Sequence, residues 1–147
     1  MKIYLDACCL NRPFDDQTQT RIRLESESIL LILRQLHNQE WEWVSSDVIP
    51  YEILQTPDAE RRERVRLMAS FAHEIVHVDE NVLSRGEDIQ SLGFDAYDAL
   101  HLACAKVGQV DVFLTTDDNL VQLAERKQGD LQVYVANPLG WLEKMAK

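Results

Sequence analysis

What this sequence lacks narrows its nature before any motif is considered. No apolar stretch reaches the length that crosses a bilayer; the longest apolar run with helical spacing, near Ile29–Leu36, is interrupted by Arg34 and Gln35. The first residues lead straight into a strand-like segment, without the basic head and apolar stretch of a secretory signal. Cysteine is scarce: Cys8, Cys9 and Cys104 form an odd set with no zinc-type pair spacing. They read as small apolar residues buried in a reducing compartment, which points to a cytoplasmic protein with no membrane association. On a strand, the adjacent Cys8 and Cys9 would face opposite sides. No internal repeat, low-complexity tract or Gly/Ser linker marks a boundary, so the 147 residues are expected to form one domain, 1–147. A chain of that length buries about 70% of its unfolded surface.

Positive charge is also scarce. Lys and Arg number 15 against 25 Asp and Glu, a net charge of −10. Phosphate binding draws its affinity from Lys and Arg, so this balance is awkward for a nucleic-acid partner and suits a basic protein partner. Two local exceptions stand out. Arg12, Arg21 and Arg23 flank the loop after the first strand, and Arg61, Arg62, Arg64 and Arg66 crowd one segment. Glu60 and Glu63 interleave the second cluster, so it reads as a solvated, salt-bridged helix face.

Apolar periodicity predicts strands at Lys2–Asp6, Glu42–Ser45, Glu74–Val78, Val112–Thr116 and Leu131–Ala136. Between them it predicts helices at Thr20–Asn38, Asp58–His73, Glu80–Leu92, Asp95–Val107 and Asn119–Lys127, with a last helix at Pro138–Ala146. Asp47 is an expected N-cap that places Pro50 in a first helical turn, and Gly93 is an expected helix stop. Such alternation implies a mainly parallel sheet covered on both faces. Sites in these sheets form beyond the carboxyl ends of the strands. Asp6 and Asp117 both fall there.

Four acids, Asp6, Glu52, Asp98 and Asp117, each sit at the edge of an apolar segment. If they converge, a pair about 6 Å apart repels by roughly 3 kcal/mol at an effective dielectric of about 20. A hard divalent cation held by oxygen ligands relieves such crowding. Each acid also has a plainer reading. Asp6 can be a turn residue, although Ala7-Cys8-Cys9-Leu10 is not turn chemistry. Asp117 or Asp118 can cap the helix that follows. Asp98 gains from a helix dipole if Asp95 is the cap, but that gain is typically below about 1 kcal/mol and too small to offset desolvation of an unpaired carboxylate. Glu52 is unremarkable on chemistry alone, because Glu on a helix is commonplace.

Some motifs mislead. His73-Glu74-Ile75-Val76-His77 spells the HExxH pattern of zinc peptidases, which requires a helix. Ile75, Val76 and Val78 indicate a strand instead, which separates the two histidines by roughly 13 Å, too far for one zinc. His101 lies one helical turn after Asp98 and reads as a hydrogen-bonded core histidine within reach of the site. Trp41, Trp43 and Trp141 are too scattered for a base-stacking platform and read as core or interface residues.

Ile3-Tyr4-Leu5-Asp6, Val44-Ser45-Ser46 leading to Glu52, Asp98-Ala99-Leu100-His101-Leu102-Ala103 and Leu114-Thr115-Thr116-Asp117 stand in this order along the chain. In these motifs the sequence resembles the PIN-domain ribonuclease family over essentially its full length, in particular the VapC-like toxins of type II toxin–antitoxin pairs. Leu10-Asn11-Arg12-Pro13-Phe14-Asp15-Asp16 resembles a branch with a longer first loop. The resemblance implies an α/β fold with three α/β/α layers and a Mg²⁺- or Mn²⁺-dependent endoribonuclease that cuts RNA. It implies Asp6, Glu52, Asp98 and Asp117 as the catalytic quartet, with Asp6, Asp98 and Asp117 holding the metal. Thr115 or Thr116 would add a supporting hydroxyl, and Arg12 would contact a substrate phosphate or pair with Asp15 or Asp16. It further implies a homodimer and an antitoxin whose basic tail enters the acidic groove, which suits a charge of −10. One departure is plain: many members follow the first Asp with a polar pair such as Thr-Asn, where this chain has Ala7 and Cys8.

Two competing readings remain. One is a catalytically weak PIN-fold module that binds RNA or a basic protein partner. The other is a different phosphoryl-transfer enzyme. The haloacid-dehalogenase-type phosphatase pattern wants a second Asp two residues after the first, where Cys8 stands, and receiver-domain spacing does not fit.

Overall fold

The structure is a computed structural model and describes residues 1–146. Five short strands, β1 (Lys2–Leu5), β2 (Glu42–Ser46), β3 (Glu74–Val76), β4 (Val112–Leu114) and β5 (Val135–Ala136), form one sheet in the order β3-β2-β1-β4-β5. Every pairing is parallel. β1 after Lys2, β4 and β5 are continuous apolar runs, as strands covered by helices on both faces are, whereas β2 ends in buried Ser45 and Ser46 and the edge strand β3 leaves Ile75 exposed. Along β1 the side chains alternate: Tyr4 stacks on its register partner Phe113 at 5.0 Å on one face, so Ile3 and Leu5 point to the other.

The connecting helices are α1 (Ala7–Asn11), α2 (Thr20–His37), α3 (Val48–Ile53), α4 (Ala59–Ala69), α5 (Glu80–Gln90), α6 (Ala96–Val107), α7 (Asp118–Arg126), α8 (Gln128–Leu131) and α9 (Pro138–Met145). α5 packs along α6, which rests on β2, while α2 packs against α9. The result is the three-layer α/β/α architecture. Asp58, Asp79, Asp95, Asp117 and Asn137 cap α4, α5, α6, α7 and α9 with side-chain oxygens. Trp43 and Trp141 are buried, and Trp141 meets Trp41 edge-on at 5.2 Å, so the tryptophans serve the core.

Two glycines have a clear reason to be glycine. Gly93, after α5, has φ +115°, a conformation side chains resist. Gly108 ends α6 where a Cβ would meet Val44 Cγ1 at 2.8 Å, so the helix end can lie close on the sheet.

Several expectations need correction. The first strand ends at Leu5 rather than Asp6, and Cys8 and Cys9 lie in an unexpected short helix, α1: Asp6 caps it by accepting the Ala7 N–H. Asp47 does not cap α3. Its own backbone is helical, its carboxylate turns to the His77 ring and the Val78 N–H, and Ser46 Oγ accepts the Val48 N–H instead. α4 stops at Ala69 rather than His73, because β2 captures His73: Trp43 N–H donates to its Nδ1 and His73 N–H to the Trp43 carbonyl. Leu131 closes α8, and Gln132 follows in the left-handed region at φ 57°, so the last strand shrinks to two residues.

The HExxH segment is the strand its branched residues indicate, and its two histidines bind Trp43 and Asp47. On the arginine-rich helix α4, Arg64 pairs with Glu60 and Arg66 with Glu63 as a solvated face should. Arg61 departs from that pattern, reaching across to Asp15 and to the side chain and carbonyl of Asn11.

Candidate functional site

The four acids lie at the carboxyl edge of the sheet or on helices that start there. Asp6 follows β1 and is nearly fully buried. One of its oxygens takes the Ala7 N–H at 2.8 Å, and the other takes the Thr115 hydroxyl at 2.9 Å. Thr115 Oγ1 also accepts the Asp117 N–H at 3.1 Å. This single hydroxyl therefore ties the acid after β1 to the acid after β4. Thr115, and not Thr116, supplies that link. Asp117 is exposed and caps α7 through Oδ1, so the capping role and the position near the site belong to the same side chain.

Glu52 sits within α3 and reaches His101 of α6, whose Nε2 is 2.7 Å from Oε1. The same Nε2 lies 3.8 Å from Asp6 Oδ1. Ligand-type atoms of Asp6, Glu52 and His101 all fall within 4.8 Å of one another. Asp98 stands in the first turn of α6, where its N–H donates to the cap residue Asp95 at 2.8 Å. It is outside that tight trio but within the electrostatic reach of Asp6 and Asp117.

The acids perturb one another. Asp98 is pushed up to about 7, first by burial and then by the charges of Asp95, Asp6 and Asp117. Burial also raises Asp6, against the lowering effects of His101 and the Thr115 hydroxyl. Burial pulls His101 down, but the hydrogen bond to Glu52 and the charges of Asp6, Glu52 and Asp98 outweigh it and leave the imidazole raised. Among the described residues no lysine or arginine pairs with any of the four acids. A crowded set of carboxylates that share one imidazole, His101, and have no lysine or arginine partner among the described residues fits a divalent cation, and oxygen donors select a hard one.

Two neighbours were not singled out as part of the site. Cys8 is half-buried, with Sγ 3.5 Å from Asp6 Oδ2 and 3.3 Å from Thr115 Oγ1, and it accepts the Thr116 N–H. Only a helix after Asp6 turns Cys8 back toward Thr115, and nothing in Ala7-Cys8-Cys9-Leu10 announces that helix. His101 belongs to the trio itself, and the one-turn spacing from Asp98 was its only signal. Arg12 is bound to Asp15 at 3.1 Å and to buried Glu25 at 3.1 Å. Arg21 likewise pairs with Glu25 and Asp118.

Among curated proteins none matches the sequence. Solved structures that share the fold include FitAcB from Neisseria gonorrhoeae, 17% identical with a TM-score of 0.61, covering 92% of this chain and 97% of that one. VapBC2 from Rickettsia felis bound to a promoter DNA fragment is 11% identical with a TM-score of 0.63, covering 93% and 98%. A toxin–antitoxin complex from Klebsiella pneumoniae is 16% identical with a TM-score of 0.60, covering 92% and 97%. At these identities the likeness is one of fold. The sequence profile of the PIN domain matches residues 3–126, a span that holds all four acids and the whole of β1 to β4 except Lys2, and on that match this chain belongs to the PIN domain family.

Proposed function

We propose that this protein, as a single PIN-like domain over residues 1–147, is a metal-dependent endoribonuclease and the toxin of a toxin–antitoxin pair. The observation that supports the reading is the grouping of Asp6 and Glu52 around His101, with Asp98 in electrostatic reach of Asp6 and Asp117, Asp117 tied to Asp6 through Thr115, and, among the described residues, no lysine or arginine paired with any of the four acids. Asp6, Asp98 and Asp117 would hold Mg²⁺ or Mn²⁺. When bound, such an ion lowers the pKa of a coordinated water and offsets charge on the phosphoryl oxygens. Glu52 serves as a further ligand or positions the attacking water. Thr115 orients Asp6, and Thr116 supports the turn that presents Asp117. Arg12 remains the candidate phosphate contact, one that must be drawn from its pairs with Asp15 and Glu25.

The structures sharing this fold include toxin–antitoxin complexes, and the net charge of −10 suits an antitoxin with a basic tail. That partner, and a homodimer of this chain, complete the reading. Purified protein is expected to cleave structured or single-stranded RNA with Mn²⁺ and to stop with EDTA. Asp6→Asn and Asp98→Asn are each expected to lower the rate by at least about 100-fold. Cleavage that survives either substitution or the chelator sinks the proposal. Cys8 at the Asp6 carboxylate, in place of a hydroxyl or amide, favours a second reading, a weakly active module that captures a basic partner. Calorimetry separates the two: tight peptide binding without Mn²⁺ binding selects the module.

A further inference from the structure

His101 is completely buried, and both of its ring nitrogens are bonded to side chains rather than to backbone. An ionised carboxylate only accepts hydrogen bonds. Nε2, facing Glu52 Oε1 at 2.7 Å and Asp6 Oδ1 at 3.8 Å, therefore carries the proton. Nδ1 meets the Tyr4 hydroxyl at 2.7 Å; Tyr4 in turn lies 2.6 Å from Ser46 Oγ, which accepts the Val48 N–H at 3.2 Å. Val48 is the first residue of α3, the helix that bears Glu52. The bonds thus close a ring from the start of α3, through β2, β1 and α6, back to the site-facing side chain of α3. With both nitrogens engaged, His101 is no candidate ligand despite its place in the trio. Glu52 keeps one oxygen, Oε2, without a hydrogen bond among the described residues.

We propose that His101 is a positioning residue for Glu52: braced by Tyr4 and Ser46, its Nε2–H fixes Oε1 and leaves Oε2 as the oxygen that Glu52 offers to an ion or an attacking water. The proposal rests on the nuclease reading for its consequence, but its geometry can be tested without activity. In the metal-free protein labelled with ¹⁵N on histidine, the His101 Nε2 is expected to be protonated and to exchange slowly. Glu52→Ala is expected to speed that exchange about tenfold or more. An unprotonated Nε2, or exchange indifferent to Glu52→Ala, overturns the proposal.

A double-mutant cycle on cleavage reads the consequence. His101→Leu is expected to cost about 10–100-fold beside Glu52 and less than about twofold in a Glu52→Gln background. His101→Gln, whose amide N–H can replace Nε2–H, is expected to retain most of the rate and guards against a His101→Leu chain that does not fold. Equal losses in both backgrounds overturn the proposal, because a merely structural residue acts alike in each. A wild-type chain without metal-dependent cleavage strikes the nuclease reading instead, and the exchange experiment then decides the positioning role alone.

Discussion

Asp98 shows how far one side chain can register the state of its neighbours. Held up at about 7 by burial and by Asp95, Asp6 and Asp117, it keeps its proton over a range where an unfolded carboxylate, with a pKa of about 3.9, has lost it. Between about pH 4 and 7 the folded state therefore binds one proton more than the unfolded state, and stability falls as pH rises through that window. Asp6, also raised, acts with the same sign. In the metal-free protein Asp98→Asn is expected to raise the melting temperature at pH 8 by about 3 °C, or about 1 kcal/mol after allowing for solvent screening, and to change it little at pH 4. Equal melting of variant and wild type at pH 8 would show that the acids do not crowd one another. At this scale the sequence was most informative where an acid interrupts an apolar run, as at Asp6 and Asp98. It said least about Cys8 and His101, whose place in the site depends on the turn after β1 and on packing between α3 and α6.

At the scale of elements, local pattern located the strands and the long helices: apolar period alone marks α2, which starts without a side-chain cap, and Asp caps reinforce it at α5, α6 and α7. It failed where a tertiary contact overrides local preference. Asp6 caps a helix that propensity alone does not announce in Ala7-Cys8-Cys9-Leu10, the Trp43 backbone takes His73 from α4, and buried Leu131 closes a short helix instead of opening a strand. The close seat of α6 on the sheet is a further contact of this kind. Gly108→Ala would press a methyl against Val44 Cγ1, a buried and β-branched neighbour with little freedom to move. Denaturant unfolding is expected to show a loss of about 1–3 kcal/mol. An unchanged midpoint would mean that the end of α6 can lift away freely.

For the whole molecule, the sign of the charge matters most. Arg12, Arg21 and Arg61 are committed to Asp15, Glu25 and Asp118, so these arginines neutralise other acids and, among the described residues, none pairs with the quartet. A cation that binds only the folded state should stabilise it. At about 100 times its dissociation constant the gain is about 2.7 kcal/mol, or about 8 °C for a chain of this size. Thermal melts with Mn²⁺ are expected to show that rise, EDTA to reverse it, and Asp6→Asn to abolish it. A melting point blind to Mn²⁺ would remove the physical reason for reading the acids as a metal centre.

The sheet ends on one side in β3, three residues long, and on the other in β5, only two. Such stubs give a foreign strand almost no free amides and carbonyls to zip onto, which closes the commonest route from a parallel sheet to fibrous aggregate. Copies or partners that join the molecule therefore have helix surfaces, rather than sheet margins, on which to do so.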